Sequence, residues 1–122
     1  NAEAILRELG AHLRRAAAAS PALLAAFDFS PHEAREVVIV GSVGDPAMRR
    51  LLVEVRSRLL HGTVVALVDP NGPTQDMRWP LLASRPLLAD RPTAYVCRNR
   101  LCDLPVDTPA ELASQLDILT AP

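Results

Sequence analysis

The sequence predicts an α/β fold built on a small three-stranded, mostly parallel sheet flanked by helices, with a helical hairpin at its N-terminus. Two short β-branched runs, Glu36 to Gly41 and Thr63 to Val68, read as strands buried on both faces. Between them, Asp45-Pro46 opens a helical register that ends toward His61-Gly62, so residues 36 to 69 form a βαβ unit with the expected right-handed crossover. A third apolar run, Thr93 to Cys97, completes a Rossmann-like sheet.

Taken in order, Ala2, Ile5, Leu6, Leu9, Leu13 and Ala16 recur three or four apart, the spacing of an amphipathic helix over residues 2 to 18. Ser20-Pro21 restarts a second helix over 21 to 27, because Ser can accept an orphan N–H and Pro is already set at the first-turn φ. Ser30-Pro31-His32-Glu33 has capping-box spacing for a helix of about one turn. After the first strand and the turn Ser42-Val43-Gly44, the apolar line Met48, Leu51, Leu52, Val55 and Leu59 marks the inner face of the central helix. Gly62 supplies its left-handed stop. Asp69-Pro70-Asn71-Gly72-Pro73 begins a long proline-punctuated crossover with short helical turns around Leu81-Leu82-Ala83. The chain closes on a capping box, Thr108-Pro109-Ala110-Glu111, and a helix through Leu119.

A length of 122 residues fits one compact unit with a real core. Hydrophobic residues make up 49% of the chain, but the aromatics are confined to Phe27, Phe29, Trp79 and Tyr95, so Leu, Val, Ile and Ala must fill the core and few rings remain to stack on bases or sugars. A formal charge of -1 argues against nucleic acid as a partner. All 13 basic residues are Arg, a usage resembling that of a GC-rich bacterial genome. No apolar run reaches the ~18 residues of a membrane span, so no membrane partner and a cytoplasmic location are expected. The first residue is Asn1 and a helix follows at once, which is expected of a fragment of a longer chain.

The succession strand-Gly41, helix, strand-Asp69, Pro-rich crossover, Ala94-Tyr95-Val96-Cys97, Cys102, Pro105 and a capped helix resembles the C-terminal region of a family of thioredoxin-domain-containing proteins of the spermatogenesis-associated type. The resemblance covers most of the chain and is most specific from Ala94 to Cys102. It implies a preceding thioredoxin-like domain and an α/α barrel similar to six-hairpin glycosidases and sugar epimerases. Residues 1 to 30 would then correspond to the last helical hairpin of the barrel and 31 to 122 to a terminal α/β domain. The partners so implied are the remaining domains of the same polypeptide; a second copy through the N-terminal helices is a separate expectation. Neither a thioredoxin-type cysteine motif nor the acidic pocket of such a barrel falls on any residue here, so no catalytic residue is transferred.

Three candidate chemistries remain. Cys97 and Cys102 have four intervening residues in a strand-and-loop setting, unlike the two of a thioredoxin motif at a helix N-terminus, although Arg98 and Arg100 would favour a thiolate. Structural thiols, a disulfide or redox switch, and a metal site all stay open; metal lacks further ligands, since His12, His32 and His61 are scattered. The turn containing Gly41, Ser42 and Gly44, with Asp69 at the next strand end, lies where doubly wound proteins hold a nucleotide. Val43 and Pro46 replace the second and third glycines of that fingerprint, and Asp45 would repel a phosphate, so a helix cap is the competing reading. Arg49, Arg50, Arg56 and Arg58 form a basic helix face diluted by Glu54. If all three strands are parallel, the Gly41 turn, the Asp69 turn and the Cys97 loop converge on one sheet edge. The resulting expectation is a non-catalytic structural or interaction domain, with a strand-edge ligand site or a cysteine redox element as alternatives and no cofactor.

Overall fold

The computed structural model describes residues 2–28, 34–72, 85–99 and 101–120. The expected turns at Ser30 to Glu33 and around Leu81 to Ala83 lie outside these residues. Helix α1 (Ala2–Ala16) runs into a 3-10 turn (Ala17–Ala19), and α2 (Pro21–Asp28) follows; the Ser20 carbonyl accepts from the N–H groups of Leu23 and Leu24 at 3.1 and 3.0 Å. Then come β1 (Arg35–Val40), α3 (Pro46–Arg56), β2 (Thr63–Val68), β3 (Thr93–Arg98), β4 (Leu101–Cys102) and α4 (Pro109–Thr120).

Among the described residues the sheet has four strands in the order β2-β1-β3-β4, and it is mixed. β1 and β2 are parallel, as the sequence predicts, with Val38 opposite Ala66. β3 is antiparallel to β1, with Val40 opposite Thr93 and Glu36 opposite Cys97. This corrects the expectation of a three-stranded, mostly parallel sheet. The cause lies just before β3. Leu88 and Arg91 pair across a two-residue turn in which Ala89 and Asp90 take φ of 50° and 57°. The Arg91 N–H donates to the Leu88 carbonyl at 3.0 Å. Two left-handed central residues make the sharp reversal of a hairpin-type turn. The chain therefore starts β3 beside the end of β1 rather than beside its beginning. Ala89-Asp90 carries no Asn-Gly or Asp-Gly signal, which hides the reversal from the sequence.

β1 is the buried centre. Val37, Val38, Ile39 and Val40 are all essentially inaccessible, so both of its faces are covered, as the unbroken apolar run implies. One face packs Val37, Ile39, Ala94 and Val96 against Met48, Leu51 and Val55 of α3 and Leu112 and Leu116 of α4. Across the other face, the Thr93 hydroxyl accepts from the Leu88 N–H and the Tyr95 hydroxyl donates to the Pro86 carbonyl, so the 85–92 segment is bonded to β3 there. Arg91 also pairs with Asp107 at 2.6 Å, tying that segment to the approach of α4.

Both central caps form as the sequence predicts. The Asp45 carboxylate accepts from the Ala47 N–H at 2.7 Å with Pro46 at the first helical position, and Thr108 engages Glu111 through its hydroxyl at 2.7 Å. α3 nevertheless stops at Arg56, short of the expected Gly62. The Ser57 hydroxyl donates to the Glu54 carbonyl at 2.8 Å and Arg58 Nη1 donates to the same oxygen at 3.0 Å, satisfying a terminal carbonyl by side chains. Leu59 thereby falls outside the apolar line and is exposed. Gly62 does take φ of 60°, but in the turn that opens β2.

β2 departs from expectation in another way. It is an edge strand, and Val64, Val65 and Leu67 remain 40%, 42% and 45% exposed. An apolar run alone does not distinguish a doubly covered strand from one whose cover lies elsewhere.

Leu51, at 0% exposure between α3 and the sheet, is the most direct probe of this core. Leu51→Ala is expected to lower the unfolding free energy by about 2 to 5 kcal/mol in urea denaturation. A loss under about 1 kcal/mol would contradict the described packing.

Candidate functional site

Because β3 is reversed, the residues singled out by sequence separate into two groups at opposite ends of the sheet. Gly41, Ser42, Gly44 and Asp69 do come together at the C-terminal ends of β1 and β2. Cys97 lies at the other end, opposite Glu36 near the start of β1. The expected convergence of all three loops on one edge is therefore corrected by the strand direction.

At the first end, the polar groups are engaged by the chain itself. Asp69 accepts from the Val43 N–H at 3.2 Å through one carboxylate oxygen and from the Asn71 N–H at 2.9 Å through the other. It thus bridges the turn after β1 to the turn after β2. The Ser42 carbonyl accepts from Asp45 N–H at 3.0 Å, and Gly44 takes φ of 116°, a conformation that a side chain would strain. Gly41 is required for a close approach: a Cβ built there would lie 3.0 Å from Pro92 Cβ. The glycine makes room for the residue that leads into β3, and Asp45 already caps the helix that a phosphate would address.

At the second end, β3 and β4 pair as a hairpin, with Arg98 opposite Leu101, Cys97 opposite Cys102, and Asn99 at φ of 50°. Asp103 N–H donates to the Val96 carbonyl at 2.9 Å. Cys97 and Cys102 are consequently a directly opposed pair without mutual backbone hydrogen bonds, the position at which facing strands come closest. They are joined by a disulfide, their Cα atoms 3.9 Å apart. Of the alternatives open for these cysteines, the structure holds the disulfide. In the chain-entropy description, closing a loop of about six residues contributes about 2 kcal/mol, against nearly 5 for about 100 residues. The hairpin's own hydrogen bonds already restrict that loop, so the bond is a weak staple.

The cation beside the sulfurs is Arg85, which sequence reasoning missed. Arg85 Nη2 lies 3.5 Å from Cys97 Sγ and 3.8 Å from Cys102 Sγ, while its guanidinium carbon sits 5.9 Å from the centre of the Tyr95 ring. Sequence spacing pointed to Arg98 and Arg100, which flank Cys97 along the chain. Arg98 is adjacent to Cys97 in a strand, so its side chain leaves from the opposite face. The alternation of strand side chains was the available signal, and it places Tyr95 and Cys97 together.

At the end of α3, the predicted pairing of Glu54 with Arg58 is present, although Arg58 lies just beyond the helix, and Arg58 Nε also meets Asp117 of α4 at 3.0 Å. The basic face is thus partly neutralised. Among the described residues, no group of three or more His, Cys, Asp and Glu is placed to hold a metal ion, and no helix is long and apolar enough to cross a membrane.

Against known proteins, the chain is similar to spermatogenesis-associated protein 20. It is 27% identical to the human protein over 113 residues and 26% identical to the rat protein over 113 residues. These matches cover 92% of this chain but only 14% of the mammalian proteins, so the chain spans about one seventh of the length of the curated relatives it matches. Their mammalian source does not support the bacterial origin suggested by the arginine usage. No family model and no solved structure matches the chain.

Two outcomes test this geometry. Tyr95 is the only tyrosine, so its ionisation can be followed alone by ultraviolet absorbance. Burial raises its pKa above the ordinary 10, partly opposed by the Arg85 charge. The folded state therefore holds the phenolic proton longer than the unfolded chain. Stability from this group is full below pH about 10 and declines as pH rises through the folded value. A midpoint at or below 10 in the folded protein would contradict the placement. Gly41→Ala is expected to cost about 1 to 3 kcal/mol in thermal or urea unfolding through the clash with Pro92.

Proposed function

We propose that this chain is a non-catalytic structural and interaction domain of a longer polypeptide, docked on the rest of that polypeptide through apolar surface that it does not cover itself. The observation that carries the reading is the open edge of the sheet. Among the described residues β2 has a neighbour only on its β1 side, and Val64, Val65 and Leu67 stay exposed along it. A long apolar edge strand with no partner invites pairing, and soluble domains normally blunt such edges with charge or proline. β2, Thr-Val-Val-Ala-Leu-Val, has neither. A groove beside it is lined by Leu52, Val55, Leu60, Val65 and Leu67 together with Arg56 and Arg58, so apolar surface continues from the strand toward α3.

The N-terminal helices support the same reading. Ile5 and Leu9 are exposed one turn apart on α1, and Leu24 is exposed on α2. In this reading α1 and α2 fold back as a hairpin that continues a helical region preceding them, of the α/α-barrel kind that the family resemblance implies, and the α/β unit follows. The small share of the mammalian relatives that the chain spans is consistent with a part docked within a larger whole. The partner is thus the remainder of the same polypeptide, and location and activity follow that whole rather than this domain.

A photo-crosslinking amino acid placed at Leu67 in the full-length polypeptide is expected to crosslink within the same chain to residues outside this 122-residue stretch, as mapped by mass spectrometry. The same group at exposed Glu111 serves as the comparison. Crosslinks from Leu67 no more frequent than those from Glu111, or none reaching beyond the stretch, would overturn the reading.

A further inference from the structure

The disulfide end of the sheet combines three features that docking does not use. Cys97 is 1% exposed, whereas its partner Cys102 is open to solvent, so the two sulfurs differ sharply in access. A guanidinium lies against both sulfurs and nearer to the buried one. Arg85 Nε is itself buried and without a hydrogen-bond partner among the described residues, and the guanidinium's contacts there are with neutral disulfide sulfur, a weak acceptor, and with the Tyr95 ring. A thiolate at Cys97 would place a negative charge beside Arg85 Nη2.

We propose that Cys97 and Cys102 form a thiol–disulfide exchange site for an external dithiol, with Cys102 the attacked sulfur, Cys97 the leaving thiolate and Arg85 the cation that receives its charge. The donor's thiolate attacks Cys102 Sγ, the accessible sulfur. A bond forms between the donor sulfur and Cys102 as the Cys97–Cys102 bond breaks, and its electron pair leaves on Cys97. Arg85 Nη2, 3.5 Å away, stabilises that anion in a setting from which water is largely excluded. The donor's second thiolate then attacks the donor sulfur of the mixed disulfide and expels Cys102. Each cysteine gains one proton, so two electrons and two protons pass from the dithiol, which becomes a disulfide, to the cysteine pair.

Glu36 opposes this step. It stands opposite Cys97 in the β1–β3 register and on the same face, so its carboxylate disfavours a thiolate there. The hairpin outlasts the bond, because the Arg98–Leu101 pairing and the Asp103-to-Val96 hydrogen bond do not depend on it. Exchange therefore frees the β4 end without unfolding the sheet.

The test is the rate at which dithiothreitol reduces the oxidised 122-residue chain at neutral pH, quenched with iodoacetamide and read by intact mass, with circular dichroism to confirm that the fold persists. Wild type is expected to be reduced while folded. Arg85→Gln slows reduction roughly tenfold, Arg85→Lys keeps most of the wild-type rate, and Glu36→Gln accelerates it. Single-thiol variants provide a readout independent of Arg85. Cys102 in Cys97→Ser should react with a chromogenic aryl disulfide at least about tenfold faster than Cys97 in Cys102→Ser. Reduction of Arg85→Gln at the wild-type rate, equal reactivity of the two thiols, or a disulfide that yields only when the chain unfolds would overturn the proposal.

Discussion

The antiparallel pairing of β3 with β1 is the constraint on which the rest of this structure depends. β1 supplies four consecutive side chains that lose essentially all contact with water. Each fully buried aliphatic side chain contributes roughly 1.5 to 3 kcal/mol, so this short segment is a large part of the core. That burial needs a strand on each side of β1. β2 provides one through the βαβ connection, and β3 provides the other only because the turn at Ala89 and Asp90 returns the chain at the end of β1 where β2 also finished. Pro92 then enters β3 against Gly41, which explains why that position carries no side chain.

From this one direction of travel follows the division of labour between the ends of the sheet. Had β3 been parallel, the cysteines would have joined the Gly41 and Asp69 turns and formed a composite edge. Instead the Gly41 end is knitted together by Asp69, which holds backbone N–H groups of both turns, and by the Asp45 cap. The Cys97 end is left with a disulfide, an arginine and an opposing carboxylate. Apolar surface gathers elsewhere, along β2 and on α1. The exposed apolar strand β2 and the disulfide strand β4 thus lie at opposite edges of the sheet.

What could be read in the sequence was whatever is decided locally. Asp45-Pro46 and Thr108 to Glu111 are caps whose hydrogen bonds span two or three residues, and both form. The β-branched run from Val37 to Val40 and the parallel pairing of the two strands of the βαβ unit are fixed by composition and connection length, and they too are found. Strand direction after a long connection is not local. It turns on two left-handed residues, Ala89 and Asp90, whose identities do not announce that conformation. The same holds for the site: the Cys97–Cys102 spacing was visible, but Arg85 reaches the sulfurs from a segment twelve residues away through tertiary packing. The short strand Leu101–Cys102 escaped notice because two residues carry no periodicity.

The direction of β3 is measured most directly by proton nuclear Overhauser contacts in the isotope-labelled chain. In the structure Val37 faces Val96 and Ile39 faces Ala94, while Val96 and Ala94 turn their hydrogen-bonding groups away from β1, toward Asp103 and Val106. These two pairs are therefore the close, non-hydrogen-bonded positions of an antiparallel ladder, where facing α-protons nearly touch. Strong contacts between the α-protons of Val37 and Val96 and of Ile39 and Ala94 are the expected result. Their absence, with contacts instead advancing in the same direction along both strands, would contradict the account at its root.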